Sequence, residues 1–430
     1  MGEGRSTEPQ QLIEHFFRHE SARLISVLTR AFGVRYLDLV EEKVQEALAR
    51  AVEAWRFGGV PSNPSGWIYR VARHLVLDAL RREKIHRRAM ALSQQTEEGL
   101  TSLLDEWMDD DQVPDSLLRM VFVCAHPALE RRSQLALTLK VLCGFSLAEI
   151  ARGLLTTVES AKKRVQRAKK TLARSGVRTD LPAEGELKQR LAAVHDVLYL
   201  LFNEGYSTTR GHGPLRDEMC EEAARLCHLL CEQPSLSTPE TRALLALMLA
   251  HSSRLAARVD ADGDAVLLAD QDRTLWDRRL ISAAQYWLDR SKTERPGRFH
   301  FQAAISLVHC RARTPDATDW PQIVALYDRL MTAEASPIYA LNRAIALGES
   351  GDVDRALAEL ESVRTSPELR DYALVDCAAG RLHELRGDPG AARRHYDAAL
   401  QATPAAHSRR IIKRRIAALE PRGLRIDKPS

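Results

Sequence analysis

Apolar residues recur at helical spacing almost from the start of the chain. Leu12, Ile13, Phe16, Phe17, Leu24, Ile25, Val27 and Leu28 mark the inner face of a helix over 11–33. A second helix is predicted over 37–55. Val40, Val44, Leu48, Ala51 and Val52 form its apolar face, and Glu41, Glu42, Gln45 and Glu46 lie on the other. Gly58-Gly59 and Pro61-Ser62-Asn63-Pro64-Ser65 then break the chain. Ser65 is placed to cap a third helix over 66–88, with Ile68, Val71, Ala72, Leu75 and Leu80 inward. Arg70, Arg73, Arg81, Arg82, Lys84, Arg87 and Arg88 crowd its remaining surface.

A helix-turn-helix pattern follows between Gln134 and Leu172. An apolar helix over 135–141 leads through Cys143-Gly144-Phe145 to Ser146, which caps the next helix with Glu149 three positions on as a capping box. Leu155-Thr156-Thr157 form the turn. In the helix from Val158 to Leu172, the spacing Ala161, Val165, Ala168, Leu172 keeps one face apolar. Lys162, Lys163, Arg164, Arg167, Lys169 and Lys170 fill the rest. Such a helix can enter a major groove with its N-terminal turn toward the base edges.

The remainder, from about 181, is rich in Ala and Leu and predicts amphipathic helices over 187–204, 217–231, 239–257 and 275–290. Toward its end Gly351-Asp352 with Ala356 recurs as Gly387-Asp388 with Ala392, a shift of 36 residues. An earlier copy runs from Ala325 to Pro337. The period is close to the roughly 34-residue tetratricopeptide repeat, whose stacked helix pairs offer a concave surface to a protein or peptide ligand. A helical domain with coincidental spacing is the plainer alternative. The fold expected is all-α: two small helical domains joined by an acidic linker, then a helical domain with repeats.

Composition and charge refine this picture. The 430 residues carry a net charge of only +4, from 62 Lys+Arg against 58 Asp+Glu. At roughly 100–200 residues per domain, that length predicts two to four domains. Up to Arg178 the balance is 28 Lys+Arg against 22 Asp+Glu, a net of +6 that leaves −2 for the remainder. Within that first part, 89–118 contains no Lys or Arg. It holds the eight acids Glu97, Glu98, Asp105, Glu106, Asp109, Asp110, Asp111 and Asp115. Two basic modules therefore flank an acidic connector, a pattern suited to a polyanion touched at two places. An Arg-rich surface kept for solubility explains the charge alone equally well.

Other chemistries find little support. No run of eighteen apolar residues predicts a membrane span, and Met1–Gln10 lacks the apolar core of an export signal, so a cytoplasmic location is expected. An odd count of seven cysteines argues against a disulfide framework. Cys220, Cys227 and Cys231 share one helical face, which reads as buried thiols rather than a metal site. Asp260-Ala261-Asp262-Gly263-Asp264 resembles a calcium loop, but position six would be Ala265 and position twelve Gln271, so a turn is expected. No nucleophile–base constellation, phosphate loop or dinucleotide fingerprint occurs. Neither enzymatic activity, metal nor cofactor is expected.

Two segments carry a family resemblance. The helix Gly66–Arg82 resembles the promoter-reading helix of region two in extracytoplasmic-function sigma factors of the sigma-70 family. Val44-Gln45-Glu46-Ala47-Leu48-Ala49-Arg50 resembles their polymerase-clamp helix. The helix-turn-helix resembles their region four. The resemblance implies domains over 1–90 (region two) and 116–178 (region four), joined by the acidic linker 91–115. A helical connecting domain over 179–298 and repeats over 299–420 follow.

It also implies that Glu41, Glu42, Gln45, Glu46 and Arg50 bind the RNA polymerase core. Asn63, Trp67, Arg70, Arg73, His74, Asp78, Arg81 and Arg82 would act at the minus-ten promoter element. Thr157, Glu159, Ser160, Lys162, Lys163, Arg164, Arg167 and Lys170 would read the minus-thirty-five element. A base-trapping loop needs stacking and hydrogen-bonding groups, which 56–67 offers, and helical arginines suit phosphates. Trp67 either stacks on an unpaired base or packs the core. His74 stands where the family commonly has Asn, and Leu155 where it often has Gly. The acidic linker is either a nucleic-acid mimic or a solvated spacer.

The C-terminal half resembles that of the family subgroup with a tetratricopeptide extension. Leu201-Phe202-Asn203-Glu204-Gly205-Tyr206-Ser207 and Gln271-Asp272-Arg273-Thr274-Leu275-Trp276-Asp277 look like its signatures. The extension is expected to regulate the sigma modules in cis or through a protein partner. A helix-turn-helix regulator with a repeat sensor, acting without polymerase, is the alternative. It has no need of the clamp and minus-ten helices.

Overall fold

The computed structural model describes residues 7–87, 113–154, 156–206, 214–260, 266–366, 369, 372–402 and 406–419. The secondary structure of these residues is helical throughout, without strands, so the all-α expectation holds. Most of the acidic linker, Leu155, and most of the 260–264 run lie outside them. The chain divides into two compact units, Met1–Gly205 and Tyr206–Ser430.

In the first unit α1 (Thr7–Phe32), α2 (Leu37–Gly58) and α3 (Pro64–Arg87) pack around Leu24, Ile25, Leu28, Val40, Val44, Ile68 and Ala72, all buried. The α3 cap differs from expectation. The helix starts one residue before Ser65, at Pro64, whose fixed φ suits the first turn. Asn63 Oδ1 accepts from the Gly66 amide at 2.8 Å, while Ser65 Oγ donates to Glu20 at 2.9 Å. The two ends of α2 also depart from the amphipathic reading: Val52 is 56% exposed and Glu41 only 8%.

The second half of this unit comprises α4 (Val113–Cys124), α5 (Arg131–Val141), α6 (Leu147–Gly153), α7 (Val158–Arg174) and α8 (Glu184–Tyr206). The expected capping box is present. Ser146 Oγ accepts from the Glu149 amide, and Glu149 accepts from the Ser146 amide at 2.7 Å. Phe122, Leu137, Phe145, Ile150, Val165 and Leu172 fill the core beneath the helix-turn-helix. Helix α8 begins beyond the expected boundary at 178, yet packs with the first unit. Arg131 reaches Asp196 at 2.6 Å, and Arg190 donates to the Phe122 carbonyl at 2.9 Å.

The second unit begins with α9 (Pro214–Glu232) and α10 (Pro239–Ser252). Helix α10 is wrapped by α9, α11 (Arg278–Asp289) and α12 (Arg298–Arg311). From α12 onward each helix packs on the next through α13 (Trp320–Ala333), α14 (Pro337–Glu349), α15 (Val353–Arg364), α16 (Ala373–Arg386), α17 (Pro389–Ala402) and α18 (Ala406–Leu419). The repeated Gly-Asp pairs fall on the turns of two hairpins, α14–α15 and α16–α17. Gly351 and Gly387 have φ of +101° and +78° there, a backbone region that side chains disfavour. All seven cysteines are free thiols. Among the described residues no helix is long and apolar enough to cross a membrane, and no group of His, Cys, Asp and Glu could hold a metal.

Candidate polymerase and promoter interfaces

The expected site residues divide among three helices of the first unit. On α2, Glu42, Gln45 and Arg50 are exposed and Glu46 is half-buried. They are pre-ordered along the helix surface. Glu46 accepts from Lys43 at 3.0 Å and from Arg50 at 2.6 Å, bonds that hold its carboxyl below the ordinary range. Gln45 donates to Ser21 on α1 at 3.2 Å.

Glu41, expected on the same outer face, is covered instead. Lys169 of α7 forms an ion pair with it, Lys140 of α5 approaches to 3.2 Å, and Lys169 also reaches Asp38 at 2.8 Å. Burial disfavours the Lys169 charge, but Glu41 and Asp38 together raise its pKa above the usual lysine value. Lys169, expected among the exposed cations of α7, is only 8% exposed. A second tie joins the same two domains: Arg30 of α1 pairs with Asp115 at 2.9 Å and donates to Ser116 at 3.2 Å. The α2 face nearest α7 is therefore held by three lysine–carboxylate contacts. Sequence reasoning missed Lys140, Lys169 and Asp38, because nothing local distinguishes a lysine that meets a carboxylate 128 residues away from one that meets water.

On α3, Arg70, His74, Arg81 and Arg82 are exposed, and Arg73 and Asp78 half-buried. Arg81 bridges Asp78 at 3.2 Å, and the Arg73 guanidinium lies 5.8 Å from the Tyr69 ring centroid. Asn63 and Trp67 stand together at the start of the helix. Trp67 is half-buried, edge-on to Trp55 at 5.8 Å, and Trp55 in turn stacks on Phe17 at 5.9 Å. Part of its ring therefore packs and part stays accessible, so the two sequence readings of Trp67 are compatible. Asn63 is exposed but commits its Oδ1 to the helix cap.

On α7, Thr157, Glu159, Ser160, Lys162, Lys163, Arg167 and Lys170 are exposed, with Arg164 half-buried. Thr157 Oγ1 caps the helix, accepting from the Ser160 amide at 3.1 Å. That fixes the N-terminal turn which a helix-turn-helix presents to base edges. Lys163 spans to Glu159 at 3.6 Å, a contact that a phosphate can replace.

Residues 16–85 match sigma-70 region 2, and residues 119–172 match sigma-70 region 4. Residues 190–292 match a family described as of unknown function (DUF6596). The chain is 37% identical over 389 residues to an uncharacterized protein of Rhizobium meliloti (strain 1021), covering 88% of this chain and 90% of that one. No solved structure matches. The region 2 match answers the alternative of a polymerase-independent regulator, which has no use for that domain. With region 2 built on α1–α3 and region 4 on the helix-turn-helix, the chain belongs to the extracytoplasmic-function type of the sigma-70 family, non-enzymatic initiation factors whose partners are RNA polymerase core and promoter DNA.

Proposed function

We propose that this sigma factor carries its polymerase contact on α2, its minus-ten contact on α3 and its minus-thirty-five contact on α7, and that the free chain keeps one residue of the α2 contact, Glu41, covered. Glu42, Gln45, Glu46 and Arg50, with Glu41, form the core-binding face. Trp67, Arg70, Arg73, His74, Asp78, Arg81 and Arg82, with Asn63 at the helix start, engage the minus-ten element. Thr157, Glu159, Ser160, Lys162, Lys163, Arg164, Arg167 and Lys170 engage the minus-thirty-five element.

The observation that carries the reading is the burial of Glu41 under Lys169 and Lys140. Polymerase cannot reach that carboxylate until region 4 moves off region 2, so the complete core contact, Glu41 included, draws on the open fraction of the chain. The extension beyond 206 acts as the regulatory part, in cis or through a protein or peptide bound to its helical hairpins. The helical hairpins fused to the sigma modules support that role.

Core-binding titration tests the covered contact. Replacing Lys169→Gln with Lys140→Gln leaves Glu41 buried without a cation, which favours opening. The double variant is expected to bind core about tenfold or more tightly than the parent chain. Equal or weaker binding would contradict the covered state.

A further inference from the structure

The runs 201–207 and 271–277 supply Tyr206 and Trp276. In the second unit Tyr206 and Trp276 meet a cluster of buried cations at the end of α10. Arg254, Arg258 and Arg273 are 5%, 8% and 6% exposed. Arg258 donates to the Tyr206 carbonyl at 2.5 Å and lies 3.4 Å from its ring centroid. Arg254 contacts His251 Nδ1 at 2.9 Å and Ser306 Oγ at 3.5 Å. Arg273 stacks 4.7 Å from the Trp276 ring and donates through Nη1 to the carbonyls of His309 at 2.9 Å and Ala312 at 2.7 Å.

The Nε–H groups of Arg254 and Arg273 are buried and donate no hydrogen bond. Among the described residues none of the three guanidiniums makes an ion pair; Asp217 acts on Arg258 only from further off. Buried cations are ordinarily paired with a counter-charge; among the described residues Arg254 and Arg273 have no ion-pair partner.

Arg273 also lines a cavity of about 710 Å³. His309 and Thr318 stand beside it, Trp320, Tyr327 and Ile345 form an aromatic and aliphatic wall, and Arg381 lies on the cavity lining as well. Thr318 is 6% exposed and its Oγ1 has no partner. Two carboxylates reach the lining. Glu349 is neutralised by Arg381 at 2.7 Å, which leaves Asp316 as the opposing charge. The volume and the mixture of apolar walls with a few polar groups are those of a small-molecule site.

We propose that this cavity binds a small aromatic carboxylate, with the acid group at Arg273 and the ring against Trp320 and Tyr327. The acid supplies a counter-charge to Arg273, the cluster member that lines the cavity, and a ring offset against the two aromatics gains contact area. The inference stands apart from the sigma assignment and concerns only the second unit.

Calorimetric titration of the full chain tests it. The probes are benzoate, phenylacetate and indole-3-acetate, each against its uncharged amide and against inorganic phosphate. At least one acid is expected to bind in the micromolar to millimolar range, its amide about tenfold or more weakly, and phosphate more weakly still. Arg273→Gln should weaken the acid by a similar factor. Ile345→Trp, which fills the cavity and leaves the arginines in place, should abolish binding and decides the matter if the first variant fails to fold. Absence of binding by all three acids up to about 10 mM would overturn the proposal. So would equal binding of acid and amide, equal binding of phosphate, or unchanged binding by Ile345→Trp.

Discussion

At the scale of single residues, the same charge does different work according to what faces it. On α7, Lys169 is buried against Glu41 and Asp38, while its neighbour Lys170 is exposed. Only the exposed cations are available to a phosphate. Lys163→Ala and Arg167→Ala are each expected to weaken binding of promoter DNA by the polymerase complex. Each should also lower the slope of log K against log salt by roughly one. Filter binding or fluorescence anisotropy over a salt series measures that slope. Loss of affinity with an unchanged slope would mean that the side chain meets no phosphate.

At the scale of elements, the glycines show where helices come too close for a side chain. A Cβ at Gly380 on α16 would lie 2.6 Å from the ring of Tyr396 on α17. Tyr396 is 3% exposed and its hydroxyl donates to Glu384 at 2.9 Å, so the ring has little room to yield. Gly380→Ala should cost the second unit about 1–3 kcal/mol of stability, measured by denaturant unfolding. A neutral result would show that the α16–α17 hairpin relaxes freely.

The same scale shows what the sequence made legible. The Ser146–Glu149 capping box, the helix-turn-helix and the hairpin glycines at 351 and 387 were readable because each depends on residues a few positions apart. The covering of Glu41 was not, since periodicity assigns a charged residue to water unless a distant partner is known. The α3 cap was misplaced from Asn63 to Ser65 because either side chain can cap and only the position of Pro64 in the first turn decides. Arg254, Arg258 and Arg273 gave no signal, as arginine is read as surface by default.

At the scale of the whole molecule, the small net charge conceals opposed local fields. The first part holds basic helices and an acidic connector, and the second unit buries three arginines beside two histidines. Burial together with Arg254 and Arg258 holds His251 well below its usual pKa, and burial with Arg254 and Arg273 lowers His309 to about 3. Both are neutral in the folded chain, whereas the unfolded chain protonates them below about 6.5. The contribution of His309 to stability is therefore complete above pH 6.5 and lost as the pH falls toward 3, and His251 acts in the same direction. The expected decline is about 1.4 kcal/mol per pH unit for each histidine, read from hydrogen exchange of α10 and α12 amides. Replacing His309→Gln should flatten that dependence; an unaltered profile would show that His309 does not set it.

Region 2 and region 4 are expected to serve one initiation event. In vitro transcription with purified bacterial core polymerase on a genomic library tests this most directly. Discrete start sites that appear only when the protein is added and share minus-ten and minus-thirty-five elements are expected. Start sites no different from core alone, with DNA bound by the protein in the absence of polymerase, would contradict it.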